Sequence, residues 1–305
     1  MRYPMLLLPV FKENLWGGEK LKQEYGKISP LEKIAESWEL SVHEQGDCTV
    51  ENGAYAGRTL RDYLLAEGPG VLGVNANGEL PLLVKLIDTA ESLSIQVHPG
   101  DAYARMHHNC AGKTEFWYIA DCEKDAALYC GAGALSKEEL LRRAKDGSIT
   151  DVLYRFPVRK GDAFLIEPGT IHAIGSSMTV AEIGTNCNVT YRIYDFGRTD
   201  KDGRPRELHL AQAADVFRAN TGRKEWMEDS GDRLMDCGPF SVREIDLNGS
   251  REFCADESGF HYILCLEGDF AVGENRIGKG RSLFIPAGLG RYSMEGTAKL
   301  LLVLI

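Results

Sequence analysis

The sequence has no Cys-x-x-Cys pair. Its eight cysteines, among them Cys110, Cys122, Cys130 and Cys187, are scattered through apolar or loop stretches. That spacing argues against a zinc ribbon or a thioredoxin-type motif. It reads as reduced thiols of a cytoplasmic protein, although an even count also permits disulfides. Long apolar runs are missing too: none approaches the roughly 18 residues needed to span a bilayer. Positive charge is in deficit, with 35 Lys and Arg against 45 Asp and Glu, for a formal charge of −10. This argues against a general surface for nucleic acid or anionic membrane, and an anionic ligand would need a local cluster of cations. Met1 to Pro9 holds one Arg and a short apolar run broken by prolines, unlike the longer apolar region of a secretory signal. Met5 to Phe11 reads instead as an early strand.

What is present is ordinary for a globular protein. The 305 residues are 44% hydrophobic and 26% charged. This is enough chain for about two domains and for a core that needs no disulfides.

Two blocks carry the chemistry. In Ser94-Ile95-Gln96-Val97-His98-Pro99, residues two apart on a strand share a face, so Gln96 and His98 point the same way. Glu115 opens a second strand, Phe116 to Ala120, rich in aromatic and β-branched residues. The intervening Gly100 to Gly112 reads as a surface loop, with His107-His108 a plain part of it. Folding it back brings Glu115 beside His98. Downstream, Gly161 starts an apolar strand, Pro168-Gly169 turns it, and His172 begins the next. The result is a two-His, one-Glu set with Gln96 as a possible fourth ligand. Such a set suits Zn(II) with an open, catalytic position. The same triad also serves non-haem iron(II) oxygenases.

Elsewhere, Ile34 to Val42 is strand-like, with Trp38 in a structural role. Thr59 caps a helix to Glu67 with Leu60, Leu64 and Leu65 as its apolar stripe, and Gly68 ends it. Pro81 to Ile87 is a buried-looking strand containing one cation, Lys85, which needs a partner or an anion. Ser136 and Glu139 form a capping-box pattern for a helix to Lys145, stopped by Gly147. Leu208 to Ala219 is a further helix. The charged, weakly patterned run 222–238 is the expected boundary between a metal-binding domain, 1–225, and a C-terminal domain, 235–305.

Several of these blocks, in order, resemble the class I mannose-6-phosphate isomerases in their short bacterial form. They are Phe11 to Gly18, Leu80 to Ile87, Gln96-Val97-His98-Pro99, Gly112 to Ile119, Pro168 to Gly175, and Tyr191-Arg192-Ile193-Tyr194-Asp195. The Pro-Gly-x-x-His turn alone would indicate only a generic cupin. The resemblance implies a mainly β fold of two cupin, jelly-roll-like β-barrels with a few helical insertions. It implies one Zn(2+) per chain and interconversion of mannose 6-phosphate and fructose 6-phosphate through an enediolate, in the cytoplasm. Gln96, His98, Glu115 and His172 match its metal positions. Lys85, Lys113, Arg192 and Arg198 match substrate-binding positions, and Arg192, Glu182 and Lys113 catalytic ones. Glu182 or Lys113 is the expected base. The aspartate that some relatives carry four residues before the arginine is Asn188 here, and an amide cannot accept the proton. A phosphosugar is the expected partner, with no nucleic acid or membrane; the oligomeric state is open. A sugar-binding cupin without turnover is the competing non-enzymatic reading.

The C-terminal part echoes the first. Phe260-His261-Tyr262-Ile263 parallels Phe116 to Ile119, and Lys279 to Arg291 parallels Lys160 to His172. In this alignment Gly259 replaces Glu115 and Arg291 replaces His172. Neither can ligate a metal, so the second domain is expected to be metal-free.

Overall fold

Alternation of side chains along strands accounts for most of the architecture. In the computed structural model, which describes residues 2–200, 202–219, 226–229 and 231–305, the chain is mainly β with a few short helices. A six-stranded antiparallel sheet runs in the order Ala163–Ile166, Glu115–Cys122, Met178–Thr185, Leu82–Thr89, Glu36–Leu40, Val10–Lys12. A five-stranded sheet faces it, in the order Leu153–Pro157, Ala127–Ala132, His172–Ala173, Ile95–Val97, Tyr191–Tyr194. These are cupin-like facing sheets. Among the described residues their hydrogen bonds do not close into the continuous barrel expected from the sequence.

Both faces of the six-stranded sheet are covered. Trp117, Ile119, Ile87 and Val180 face inward and pack with Leu128 and Cys130 of the opposing sheet. The alternate residues Phe116, Tyr118, Leu82, Val84 and Leu86 face outward and pack against Tyr262, Leu264, Phe284, Leu301 and Val303 of the C-terminal sheet. A strand buried on both sides reads as a nearly continuous apolar run. This is why Leu82–Thr89 is buried at every position and why Lys85 stands out within it.

Among the described residues the C-terminal sheet has nine strands. Ser241–Ala255 and Gly290–Leu304 pair over their full length, and the sheet curls around its own core of Ile263, Phe270, Leu283, Met294 and Leu302. Its register adjusts the internal repeat. Glu115 pairs with Ile166 in the first sheet, whereas His261, not Gly259, pairs with Ile285 in the second. His261 therefore occupies the place of Glu115, and its Nδ1 lies 2.8 Å from the Tyr292 hydroxyl. Met5–Leu8 belongs to this sheet, pairing with Ser282–Ile285 and with Thr49–Val50. The early strand breaks at Pro9 and resumes as Val10–Lys12 in the six-stranded sheet. Part of the run 222–238 lies outside the described residues.

The helices follow their capping signals. Thr59 accepts from Asp62 N and Asp62 returns the bond, starting Leu60–Glu67. Leu60 and Tyr63 form its buried side, while Leu65, expected in the apolar stripe, is exposed. Ser136 accepts from Glu139 N ahead of Lys137–Asp146, but the Glu139 carboxylate binds Arg143 at 2.8 Å. Leu210–Val216 is a shorter helix than the sequence suggests. The stretch 100–112, expected as a loop, contains the helix Asp101–His108. Its apolar spacing is too sparse to signal a helix: Ala104 alone is buried.

Leu7 is almost fully buried where Met5–Leu8 seals the core shared by the two large sheets. Leu7→Ala is expected to cost about 3 kcal/mol by urea unfolding. A loss below about 0.5 kcal/mol, typical of surface changes, would mean that this strand contributes little to the shared core.

Candidate active site

Three side chains converge between the facing sheets. Glu115 comes from the six-stranded sheet, while His172 belongs to the five-stranded sheet and His98 directly follows its strand Ile95–Val97. Their ligand atoms all lie within 4.8 Å of one another, and all three residues are buried. His98 Nε2 is 3.3 Å from Glu115 Oε1 and 3.1 Å from His172 Nε2; His172 Nε2 is 3.9 Å from Glu115 Oε2.

The outer nitrogens fix the tautomers. His98 Nδ1 lies 2.9 Å from Val189 O, and His172 Nδ1 lies 2.8 Å from Thr170 O. A carbonyl can only accept, so each Nδ1 carries the proton and donates. Each Nε2 is then an unprotonated lone pair. Burial, followed by the Lys113 charge, lowers the pKa of His98. Burial, followed by His98, lowers that of His172 to about 3. Two lone pairs and a carboxylate thus face one another in a dry space. Glu115 Oε1 has no hydrogen-bond partner of proper geometry, although Lys113 Nζ lies 2.6 Å away. Burial alone would raise the pKa of Glu115, but the neighbouring Lys113 ammonium holds it well below the usual carboxylate range. Trp117 Nε1 donates to the other oxygen, Oε2, at 3.1 Å. This donor set fits a divalent cation. Gln96 pairs with His172 across the sheet, and its amide nitrogen lies 3.3 Å from His172 Nε2. Turning the amide over would present its oxygen instead.

A cavity of about 340 Å³ opens beside this cluster, with Gln96, Lys113, Lys85, Glu182, Glu36 and Arg192 in its lining. Lys85 and Glu182 are cross-strand partners, 3.2 Å apart from Nζ to Oε1, and Glu36 Oε2 lies 3.4 Å from the same ammonium. Burial alone would lower the Lys85 pKa, but Glu182 and Glu36 raise it. Glu36 is held low by Lys85 against the effect of its burial. Glu182 moves the other way, raised by burial and then by the Glu115 charge. Trp38 is buried, it donates to Glu36 Oε2 at 2.7 Å, and its ring lies near Lys85 Nζ.

The arginines divide. Arg192 lines the cavity; its Nη1 donates to Glu207 O at 2.7 Å, while its buried Nε has no partner. Arg198 does not line the cavity. Its guanidinium is engaged by Asp195 Oδ1 and Ser92 O, each at 2.6 Å. Arg206, which the sequence does not single out, is a lining residue, held by Asp195 through bonds of 2.7 and 2.5 Å. Glu36 was also missed. The signal for it was the isolated lysine at 85, which calls for a carboxylate on each neighbouring strand. Asn188 sits in the lining as well. His108, expected in a plain loop, lies in the last turn of a helix with its Nε2 against the Tyr191 hydroxyl.

Residues 5–126 match the family model for the phosphomannose isomerase type I catalytic domain, and residues 233–305 match that for the mannose-6-phosphate isomerase cupin domain. The mannose-6-phosphate isomerase ManA of Bacillus subtilis is 37% identical, over 97% of this chain and 97% of its own length. A mannose-6-phosphate isomerase of Streptococcus mutans is 33% identical over 99% of this chain and 98% of its own. The crystal structure of the mannose 6-phosphate isomerase from Bacillus subtilis has a TM-score of 0.89 to this fold at 34% identity, covering 99% of each chain. Among the described residues, no helix is long and apolar enough to cross a membrane.

Lys85→Met would leave Glu36 and Glu182 buried without their shared cation. The folded pKa of Lys85 lies above its unfolded value, so the ammonium stabilises the fold at every pH below about 10. The variant is expected to lose about 3–5 kcal/mol at pH 7. The deficit should be smaller in mild acid than at pH 7, because Glu182, already raised, takes up a proton as the pH falls. Denaturation under both conditions checks this, and an equal deficit in each would contradict it.

Proposed function

We propose that this chain, which belongs to the mannose-6-phosphate isomerase family, interconverts mannose 6-phosphate and fructose 6-phosphate with Zn(2+) as its metal. The observation that carries the metal-dependent reading is the meeting of His98, Glu115 and His172 within 4.8 Å, beside a cavity lined by Lys113, Glu182 and Arg192. The charged substrate and scattered cysteines fit a cytoplasmic enzyme. His98, Glu115 and His172, with Gln96 as a fourth donor, would hold Zn(2+), which would supply Lewis acidity to the reacting end of the sugar with no redox change.

The reaction moves a proton between C2 and C1 through an enediolate. Glu182 takes the C2 proton of mannose 6-phosphate and returns it to C1. Burial raises its carboxyl pKa toward the range useful for that exchange, and Lys85, 3.2 Å away, fixes its orientation. Lys113 presents its ammonium beside Glu115 and donates to a sugar oxygen as charge develops there. Arg192 offers a guanidinium whose buried Nε is free to bind, and Arg206 adds a second positive charge to the same cavity. Together they hold the phosphate, for which planar, bidentate donors are suited. Arg198 acts on the far side of Asp195 and positions Arg206 through that shared carboxylate.

Purified protein incubated with mannose 6-phosphate is expected to yield fructose 6-phosphate, to lose activity with a chelator and to regain it with zinc. Failure to form product with metal present would end this reading. Glu182→Gln and Arg192→Ala should each reduce kcat by about 100-fold or more with metal content unchanged. Metal analysis paired with steady-state kinetics measures both, and a near-normal kcat removes that residue from the scheme.

A further inference from the structure

Two cysteines that the isomerase chemistry does not use, 77 residues apart in sequence, come together in the fold: Cys110 Sγ lies 3.5 Å from Cys187 Sγ. Cys110 follows the helix Asp101–His108 and left-handed Asn109, and Cys187 follows the strand Met178–Thr185. The two segments are already fastened together. Thr185 N donates to Thr114 O at 3.0 Å, Thr114 N to Thr185 Oγ1 at 3.2 Å, and Thr185 Oγ1 to Gly112 O at 2.7 Å. A sulfur–sulfur bond therefore requires the thiols to close by only about 1.5 Å. There is also a way in. Cys110 lines a cavity of about 640 Å³, along with Arg105, Arg218 and Asn186, while Cys187 is buried behind it. The Asn186 Oδ1 atom is buried without a hydrogen-bond partner.

We propose that Cys110 and Cys187 are a redox modification site, converted to a reversible intrachain disulfide by a low-molecular-weight disulfide that enters this cavity. The Cys110 thiolate attacks one sulfur of the oxidant, forming a mixed disulfide and releasing the first thiol. The Cys187 thiolate then attacks the Cys110 sulfur, breaking the mixed bond and releasing the second. The protein loses two protons and two electrons, and the oxidant gains them as two thiols. Burial, together with neighbouring Cys187, pushes the Cys110 thiol up to about 12, so the exchange is slow at neutral pH and faster in alkali.

The bond would join the segment leading into Lys113 and Glu115 to the one leading into Asn188 and Val189. Val189 O is the acceptor that orients His98. Oxidation therefore braces the donor set from both sides.

The test uses the full chain, reduced, desalted and incubated with oxidised glutathione at about pH 8.5, then alkylated and digested. The expected result is a Cys110–Cys187 linked peptide, two fewer alkylated thiols, an intact mass lower by about 2 Da, and reversal by dithiothreitol. Thermal unfolding of the oxidised protein should move up by several degrees. Cys110→Ser and Cys187→Ala should show neither the mass change nor the thermal shift. Alkylation of all eight cysteines after oxidation overturns the proposal. So does bonding confined to other cysteines, such as exposed Cys254 between chains, or a glutathione adduct that stays on Cys110. The wild-type peptide map decides the matter even if a variant folds poorly, and it does not depend on isomerase activity.

Discussion

Two imidazole lone pairs and a carboxylate pointing at one another are mutually repulsive unless a positive charge lies among them. The fold enforces this arrangement. Each Nδ1 is committed to a backbone carbonyl, Val189 O or Thr170 O, so neither ring can turn its donor inward without leaving a buried acceptor unpaired. Lys113 supplies part of the missing charge next to Glu115. The rest of the site follows from this constraint. The sheets that carry the three side chains must be rigid and dry, and the groups around them must offset one another's charge.

The second layer meets that demand in pairs. Lys85 answers both Glu182 and Glu36, and Asp195 answers both Arg198 and Arg206. A buried ion pair is weak evidence of stability. Here the pairing sets two carboxylates on one wall apart, one held low and the other raised. Such a split lets one group stay charged while its neighbour handles a proton. Among the described residues, Arg192 in the cavity lining keeps its buried Nε without a partner.

Much of this was legible in the sequence. His98, Glu115 and His172 each sat where a strand began or ended, and period-two alternation put Gln96 and His98 on one side. The lone cation in Leu82–Thr89 announced a charged interior. What could not be read depended on pairing across the sheets. Glu36 reaches the site only through its neighbouring strand, and Arg206 only because Asp195 draws it in. Arg198, assigned from the resemblance, is occupied by the Asp195 carboxylate and by backbone oxygens that no sequence pattern reveals. The repeat misled by two residues because strand register is fixed by tertiary pairing, and a two-residue slip keeps every side chain on its own face. The helix at 101–108 escaped because its exposed polar residues mimic a loop.

The place of Met5–Leu8 between Thr49–Val50 and Ser282–Ile285 has a bearing on how the molecule is made. Its partner strand, Ser282–Ile285, is synthesised almost a full chain length later. During translation Leu7 and Leu8 have Thr49–Val50 to pair with early, while Met5 and Leu6 wait for Ser282–Ile285 as the facing sheets assemble behind them. Closure of the C-terminal sheet is therefore a late event with a large sequence separation, the kind of contact that slows folding and leaves an exposed edge open to mispairing. The same strand that joins the two halves of the finished protein is the segment for which a nascent chain would most need a chaperone.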